Sequence, residues 1–237
     1  MKVLVISPSY NERENIANLI DSIFSLSIPL DLLIIDDSSP DGTADIVRSM
    51  LDSNPRLHMI ERENKQGLGT AYCRGFRYAM ENNYDIVVQI DADLSHDPKD
   101  IERFIKLIDK YDLIIGSRYS NGVNVINWPM SRLLLSYYAN CYARFLTRVP
   151  IMDITGGFKC IRIDALQAID LDKIKSQGYS FQIEINFLIY NKGFRVTEMP
   201  IIFTDRVVGH SKMNKNIIYE AILIVPRLFL KKMFRKL

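Results

Sequence analysis

Short apolar runs alternate along the chain with longer stretches in which apolar residues return every third or fourth position. The runs at 2–7, 32–35, 57–60, 87–90 and 113–116 read as strands, the one at 57–60 the weakest, and apolar Val87, Val88 and Ile90 suit a strand buried on both faces. Between them, 15–24 has helical spacing through Ile16, Leu19, Ile20 and Ile23. Residues 43–51 place Ile46, Val47, Met50 and Leu51 on a buried side, and 70–82 and 99–109 complete the helices, the last entered through Pro98. After Arg118 the rhythm changes. A polar loop at 120–127 closes on Trp128-Pro129, and a helix at 132–147 follows. A glycine-containing turn at 153–159 leads to a short strand at 160–163. A helix at 181–190, a strand at 195–203, a basic loop at 205–212 and a final helix at 216–237, bent at Pro226, complete the chain.

Strictly alternating strands and helices imply an α/β fold with a mostly parallel sheet and right-handed crossovers. Ligands of such sheets bind in the loops at the strand carboxyl ends. Those loops hold Asp37, Asp91, Asp93 and Arg118. The stretch Val87-Val88-Gln89-Ile90-Asp91-Ala92-Asp93 is the most informative, an apolar strand running into two carboxylates. Paired oxygen donors there suit a hard cation such as Mg²⁺ holding a phosphate. Taken alone, the pair reads equally well as two polar turn residues. Asp36 reads as a turn or capping residue beside Asp37.

Composition narrows the classes. The 237 residues are 48% hydrophobic and 24% charged, enough for one sizeable core, and the net charge of +2 gives no reason to expect a nucleic-acid partner. Three isolated cysteines, Cys73, Cys141 and Cys160, point to a reducing compartment. Met1-Lys2 runs directly into the first strand, so no secretory leader is expected, and no apolar run approaches the roughly 20 residues of a membrane span. Gly67 and Gly69 make no dinucleotide fingerprint, because the loop after the first strand has no glycine. None of His58, His96 and His210 has a second His or Cys at ligand spacing.

Six motifs in order carry a resemblance. They are Pro8-x-Tyr10-Asn11-Glu12, Asp36-Asp37-x-Ser39-Pro40-Asp41-Gly42-Thr43, Gly67-Leu68-Gly69, Asp91-Ala92-Asp93-Leu94, Gly116-Ser117-Arg118-Tyr119 and Asp205-Arg206-x-x-Gly209-x-Ser211-Lys212. Over about residues 3–225 the chain resembles the dolichol-phosphate (polyprenyl-phosphate) mannose synthases, inverting family 2 glycosyltransferases. The resemblance implies the GT-A fold, with a catalytic domain at 1–213 and an amphipathic helix at 214–237 contacting a membrane or partner. It implies transfer of mannose from GDP-mannose to a polyprenyl phosphate with Mg²⁺ or Mn²⁺. Pro8, Tyr10, Glu12, Ile35 and Asp37 match nucleotide-holding positions, and Asp91, Ala92 and Asp93 the metal and diphosphate site. Arg118, Arg206 and Lys212 match phosphate contacts, and Arg118, Arg132 and Ser136 acceptor-phosphate contacts. Ser95 takes the third metal position, where some members have Gln. Gly157-Phe158-Lys159 departs modestly from the family's usual run. The extra membrane-spanning helices of some members have no counterpart, so a peripheral protein on the cytoplasmic face is expected, with a small anchoring subunit as a candidate partner.

The chemistry needs these residue types. Negative charge builds on the departing diphosphate and calls for cations nearby. The acceptor phosphate has a second pKa near about 6, is mostly dianionic at neutral pH, and needs positioning rather than a protein base. The final helix sets Ile218, Ile222, Val225, Phe229 and Met233 on one side and Arg227, Lys231 and Arg235 on the other, with five basic and no acidic residues in 227–237. That suits an anionic membrane surface. Glu184 has two readings, lining the acceptor site or satisfying a buried neighbour, with the structural one favoured. The same reaction with a glucose or N-acetylglucosamine donor, or an undecaprenyl acceptor, stays open. A phosphotransferase is a poor fit, since Ser39 stands where a nucleophilic Asp would be. A non-catalytic binding subunit is disfavoured by the intact acid pair.

Overall fold

The computed structural model describes residues 1–205 and the backbone of 215–233, with side chains at 223–230, 232 and 233 in the second segment. A seven-stranded sheet forms the centre. In chain order its strands are β1 (Val3–Ser9), β2 (Asp31–Asp36), β3 (Leu57–Glu61), β4 (Ile86–Gln89), β5 (Leu113–Ser117), β7 (Lys159–Arg162) and β8 (Val196–Pro200). Across the sheet the order is β3-β2-β1-β4-β7-β5-β8, and only β7 runs antiparallel to its neighbours. β6 (Val125–Ile126) and β9 (Phe203–Thr204) form a separate parallel pair.

Strand alternation sorts the core into two layers. Leu4, Ile6, Leu33, Ile35, Val87, Leu113, Ile115 and Ile161 face one side of the sheet. They meet α3 (Leu68–Glu81), α5 (Met130–Thr147), α6 (Ile163–Gln167), α7 (Gly178–Asn191) and α8 (Lys215–Met233). Val3, Val5, Leu32, Ile34, Ile86, Val88, Ile114 and Cys160 face the other side. There they meet α1 (Ile16–Phe24), α2 (Thr43–Leu51) and α4 (Asp100–Leu107). The four apolar positions read for α1 are all fully buried. With helices on both faces, the loops at the sheet's rim are left to make a site.

The differences from the sequence reading have local causes. β1 continues through Pro8 and Ser9, because Pro8 and Ser9 lie in register with Ile35 and Asp36 of β2. The strand read at 195–203 is two strands. After Pro200 the chain leaves β5, and Phe203 and Thr204 pair with Val125 and Ile126 inside the stretch read as a polar loop. The apolar side read for α8 is also revised. Ile224, Val225 and Leu228 are buried against α5 and α7, while Phe229 and Met233 are exposed. Ile218 and Ile222 lie outside the described side chains, and Arg235 outside the described residues.

Candidate active site

In the loops after β1, β2 and β4 one residue takes a left-handed conformation. Asn11, Ser38 and Leu94 have φ values of 55°, 54° and 59°, left-handed backbone that non-glycine residues adopt at a cost. Each follows at once a residue that lines one shared cavity: Tyr10, Asp37 and Asp93. The strained turns re-aim the chain so that these side chains face a common space of about 420 Å³.

Strand order distributes the chemistry. On the β1–β2–β3 side, Pro8, Tyr10, Glu12, Asp37 and Lys65 line the cavity. Asp36 pins the turn, its carboxylate accepting from Ser9 Oγ (2.8 Å) and from the amide and hydroxyl of Ser39 (2.8 and 2.6 Å). Asp37 is paired with buried Arg62 and also accepts from the Gln66 amide at 3.3 Å. Arg62 also donates to Thr70 Oγ1 (2.8 Å) and Gly67 O (3.0 Å), which ties this edge to the start of α3. The Lys65 ammonium stands 3.9 Å over the Tyr10 ring, a cation–π contact. Glu12 accepts from Asn15 Nδ2 at 2.9 Å.

Beyond β4 come Asp91, Ala92, Asp93 and His96. Asp91 Oδ1 accepts from Tyr72 OH at 3.4 Å, and its Oδ2 lies 4.0 Å from His96 Nε2. Burial pushes the His96 pKa down to about 4, so the ring is neutral at physiological pH. Beneath the site, fully buried Lys159 donates to Asn186 Oδ1 at 2.8 Å. Burial lowers its pKa to about 7 against the opposing pull of Asp153 and Asp91.

On the β5 side stand Arg118, Arg132, Thr155 and Phe203. Arg118 is buried and grips Asp153 with its backbone amide (2.9 Å), Nε (2.7 Å) and Nη2, and Thr155 Oγ1 through Nη2 (2.9 Å). Burial alone would lower the Arg118 pKa; the fully buried Asp153 carboxylate outweighs it and holds the value above normal. Arg132 pairs with Asp205 (2.7 Å) and lies 4.3 Å over Trp128, the one tryptophan of the chain, whose ring meets Phe203 edge-on at 5.3 Å.

The arrangement can hold an anion of several charges across a central acidic pair. The model of "Glycosyl transferase family 2" matches residues 4–170. The chain belongs to glycosyl transferase family 2. It is 40% identical over 227 residues to an undecaprenyl-phosphate mannosyltransferase of Micrococcus luteus, covering 96% of this chain and 93% of that one. It is 43% identical over 226 residues to a polyprenol monophosphomannose synthase of Mycolicibacterium smegmatis, covering 94% and 85%. Among solved structures, glucosyl-3-phosphoglycerate synthase of Mycobacterium tuberculosis with UDP aligns with a TM-score of 0.70 at 17% identity, covering 96% of this chain and 80% of that one. A mannosyltransferase of Pyrobaculum calidifontis with GDP-Man and Mn²⁺ aligns at 0.60 and 16% identity, covering 95% and 73%. The GT-A fold read from the motifs is the fold observed.

Within this glycosyltransferase, Pro8, Tyr10, Glu12, Asp37, Asp91, Ala92, Asp93, Arg118 and Arg132 share one cavity. Three residues named from the resemblance do not line it. Ile35 is fully buried on the α3 side, where a Cβ on Gly75 would come within 3.0 Å of its Cδ1. Ser95 is buried, and its hydroxyl has no hydrogen-bond partner. Ser136 accepts from Tyr119 OH at 2.8 Å instead of facing the cavity. Arg206 and Lys212 lie outside the described residues. The sequence reading missed Lys65, His96, Thr155 and Gln182 as lining residues and Arg62 and Asp153 as supports. Asp153 heads the Asp-Ile-Thr-Gly-Gly run read only as a turn, and that was its one local signal. Glu184, read as structural, is buried and accepts from Ser176 Oγ at 2.6 Å.

Proposed function

We propose that this protein transfers mannose from GDP-mannose to a polyprenyl phosphate at a membrane surface, inverting the anomeric centre. The observation that carries this reading is the single cavity joining Asp91 and Asp93 to Arg118 and Arg132. The names of two relatives at 40% and 43% identity point to the same lipid acceptor and the same sugar.

Two carboxylates on one short turn form a hard oxygen donor set, which fits Mg²⁺ or Mn²⁺. Bound there, such a cation supplies Lewis-acid neutralisation of the leaving diphosphate. The chain's own residues do the rest. Tyr10 and Asp37, on the β1 and β2 loops, hold the nucleoside, with Lys65 over the Tyr10 ring. Arg118 and Arg132 hold the acceptor phosphate from the other side of the sheet. That phosphate is already a nucleophile at neutral pH, so orientation replaces a general base. Arg206 and Lys212 add phosphate contacts in this reading.

The membrane setting has its own support. Among the described residues no helix is long and apolar enough to cross a membrane. On α5, the helix that carries Arg132, Met130, Leu134, Tyr138, Tyr142 and Phe145 are exposed, an apolar face beside the acceptor arginines. All three cysteines are free thiols, in keeping with the cytoplasmic side. The division into a catalytic unit at 1–213 and a membrane- or partner-contacting helix at 214–237 belongs to the same proposal.

The test is a panel of nucleotide sugars offered with polyprenyl phosphate, with and without chelator, followed by the anomeric configuration of the product. The expected outcome is mannosyl-phosphoryl-polyprenol of inverted configuration from GDP-mannose, abolished by chelator. No lipid-linked sugar from any donor overturns the proposal.

A further inference from the structure

The position two residues beyond Asp93 is expected to place Ser95 toward the cation. The turn forbids it. Leu94 takes a left-handed φ of 59°, and Ser95 folds under, its amide donating to Asp93 Oδ1 at 3.1 Å. The next side chain, His96, is the one that reaches the cavity.

The His96 ring is held from two sides. Phe158 lies at 4.9 Å and Phe203 meets it edge-on at 5.1 Å, and the ring is only 5% exposed. Its Nδ1 is buried without a hydrogen-bond partner. Its Nε2 faces Asp91 Oδ2 at 4.0 Å. An imidazole clamped by two phenyl rings cannot swing elsewhere for a partner. The opposite oxygen of the same carboxylate is held by Tyr72 OH at 3.4 Å. Tyr72 and His96 therefore address the two oxygens of Asp91 from two elements, α3 and the turn after β4.

We infer that His96 is a positioning residue for Asp91, its Nε2–H steadying Oδ2 so that the carboxylate presents a fixed lone pair to the divalent cation and diphosphate. The 4.0 Å separation is longer than a hydrogen bond and closes with a rotation of the carboxylate by about 1 Å. Outer groups that orient a ligating carboxylate typically change metal affinity by about 10–100-fold when removed. The inference rests on the reading of Asp91 and Asp93 as cation ligands.

The experiment measures Mn²⁺ binding to the full chain by electron paramagnetic resonance, with and without GDP, so that turnover plays no part. His96→Gln carries an amide nitrogen to about the reach of Nε2, His96→Asn stops at the reach of Nδ1, and His96→Phe keeps the ring and removes both nitrogens. Weakening of Mn²⁺ binding by about tenfold in the Phe and Asn variants, with the Gln variant within about threefold of the wild type, is the expected result. Wild-type Mn²⁺ affinity in His96→Asn, or equal weakening in the Gln and Asn variants, overturns it, and this pair decides the question even if His96→Phe does not fold. Asp91→Asn and Asp93→Asn separate the two levels. If they abolish Mn²⁺ binding while the His96 variants do not alter it, only the positioning role falls. If they leave Mn²⁺ binding intact, the cation reading itself falls.

Discussion

Arg118 enters the site with one edge already committed. Nε and Nη2 are held by Asp153 and Thr155, and in the function proposed above Nη1 is the nitrogen left for a substrate phosphate. Removing one member of a buried ion pair strands the other charge, at about 3–5 kcal/mol. Asp153→Ala should therefore lower unfolding stability by about that amount, read by chemical denaturation, and reduce activity through a loosened Arg118. Lys159 permits a test with pH. Its pKa is about 7 folded and 10.5 as the reference value, so the unfolded chain binds the extra proton between those values. Its contribution is fully favourable above pH 10.5 and is lost as pH falls toward 7. Relative to Lys159→Met, the wild type should lose melting temperature steadily from pH 10 to pH 7 and level off below. A flat difference across that range contradicts the assignment. At this scale the charged residues on strand-end motifs, Asp37, Asp91, Asp93 and Arg118, were legible in the sequence. Arg62, Asp153 and His96 were not, because their partners lie 25, 35 and 5 residues away along the chain and no local pattern pairs them.

Among the elements, the strands and helices of the first half follow directly from apolar spacing, since each buries a regular face. The second half was less legible where pairing is non-local. Two-residue strands such as β6 and β9 carry too few positions to make a period, and they exist because Phe203 and Asp205 amides donate to Asn124 and Ile126 carbonyls. The Gly67-Leu68-Gly69 run has a mechanical role that sequence alone did not expose. A Cβ on Gly69 would stand 2.3 Å from the Ser176 carbonyl oxygen, and the Gly69 amide donates to Gln177 Oε1 at 2.8 Å. Gly69→Ala must push α3 away from the segment that leads into α7. It should destabilise the fold by about 1–3 kcal/mol and weaken nucleotide binding, because Gly67, Leu68 and Gln177 line the cavity. Isothermal titration with GDP beside a denaturation curve checks both effects.

Among the described residues, apolar exposure is concentrated on two neighbouring helices. α5 exposes Tyr138 and Phe145, the latter 80% accessible, and α8, packed beside it, exposes Leu223, Leu230 and Met233. Such a face fits the interfacial zone of a bilayer. The double change Tyr138→Ser with Phe145→Ser should leave the melting temperature and GDP binding intact while lowering co-sedimentation with anionic vesicles several-fold. Unchanged sedimentation would assign that face to something other than lipid. The order of the strands then sets a geography: Tyr10 and Asp37 at one edge, where the proposed function puts the nucleoside, the acidic pair in the middle, and the arginines and the apolar face at the other.

Trp128 stands on that last border, stacked over Arg132 and touching Phe203. Because it is the one indole in the chain, all tryptophan emission from this protein originates beside the arginines. If the acceptor docks there as proposed, the molecule carries its own optical gauge of that docking, readable in unlabelled protein without waiting for a sugar to move.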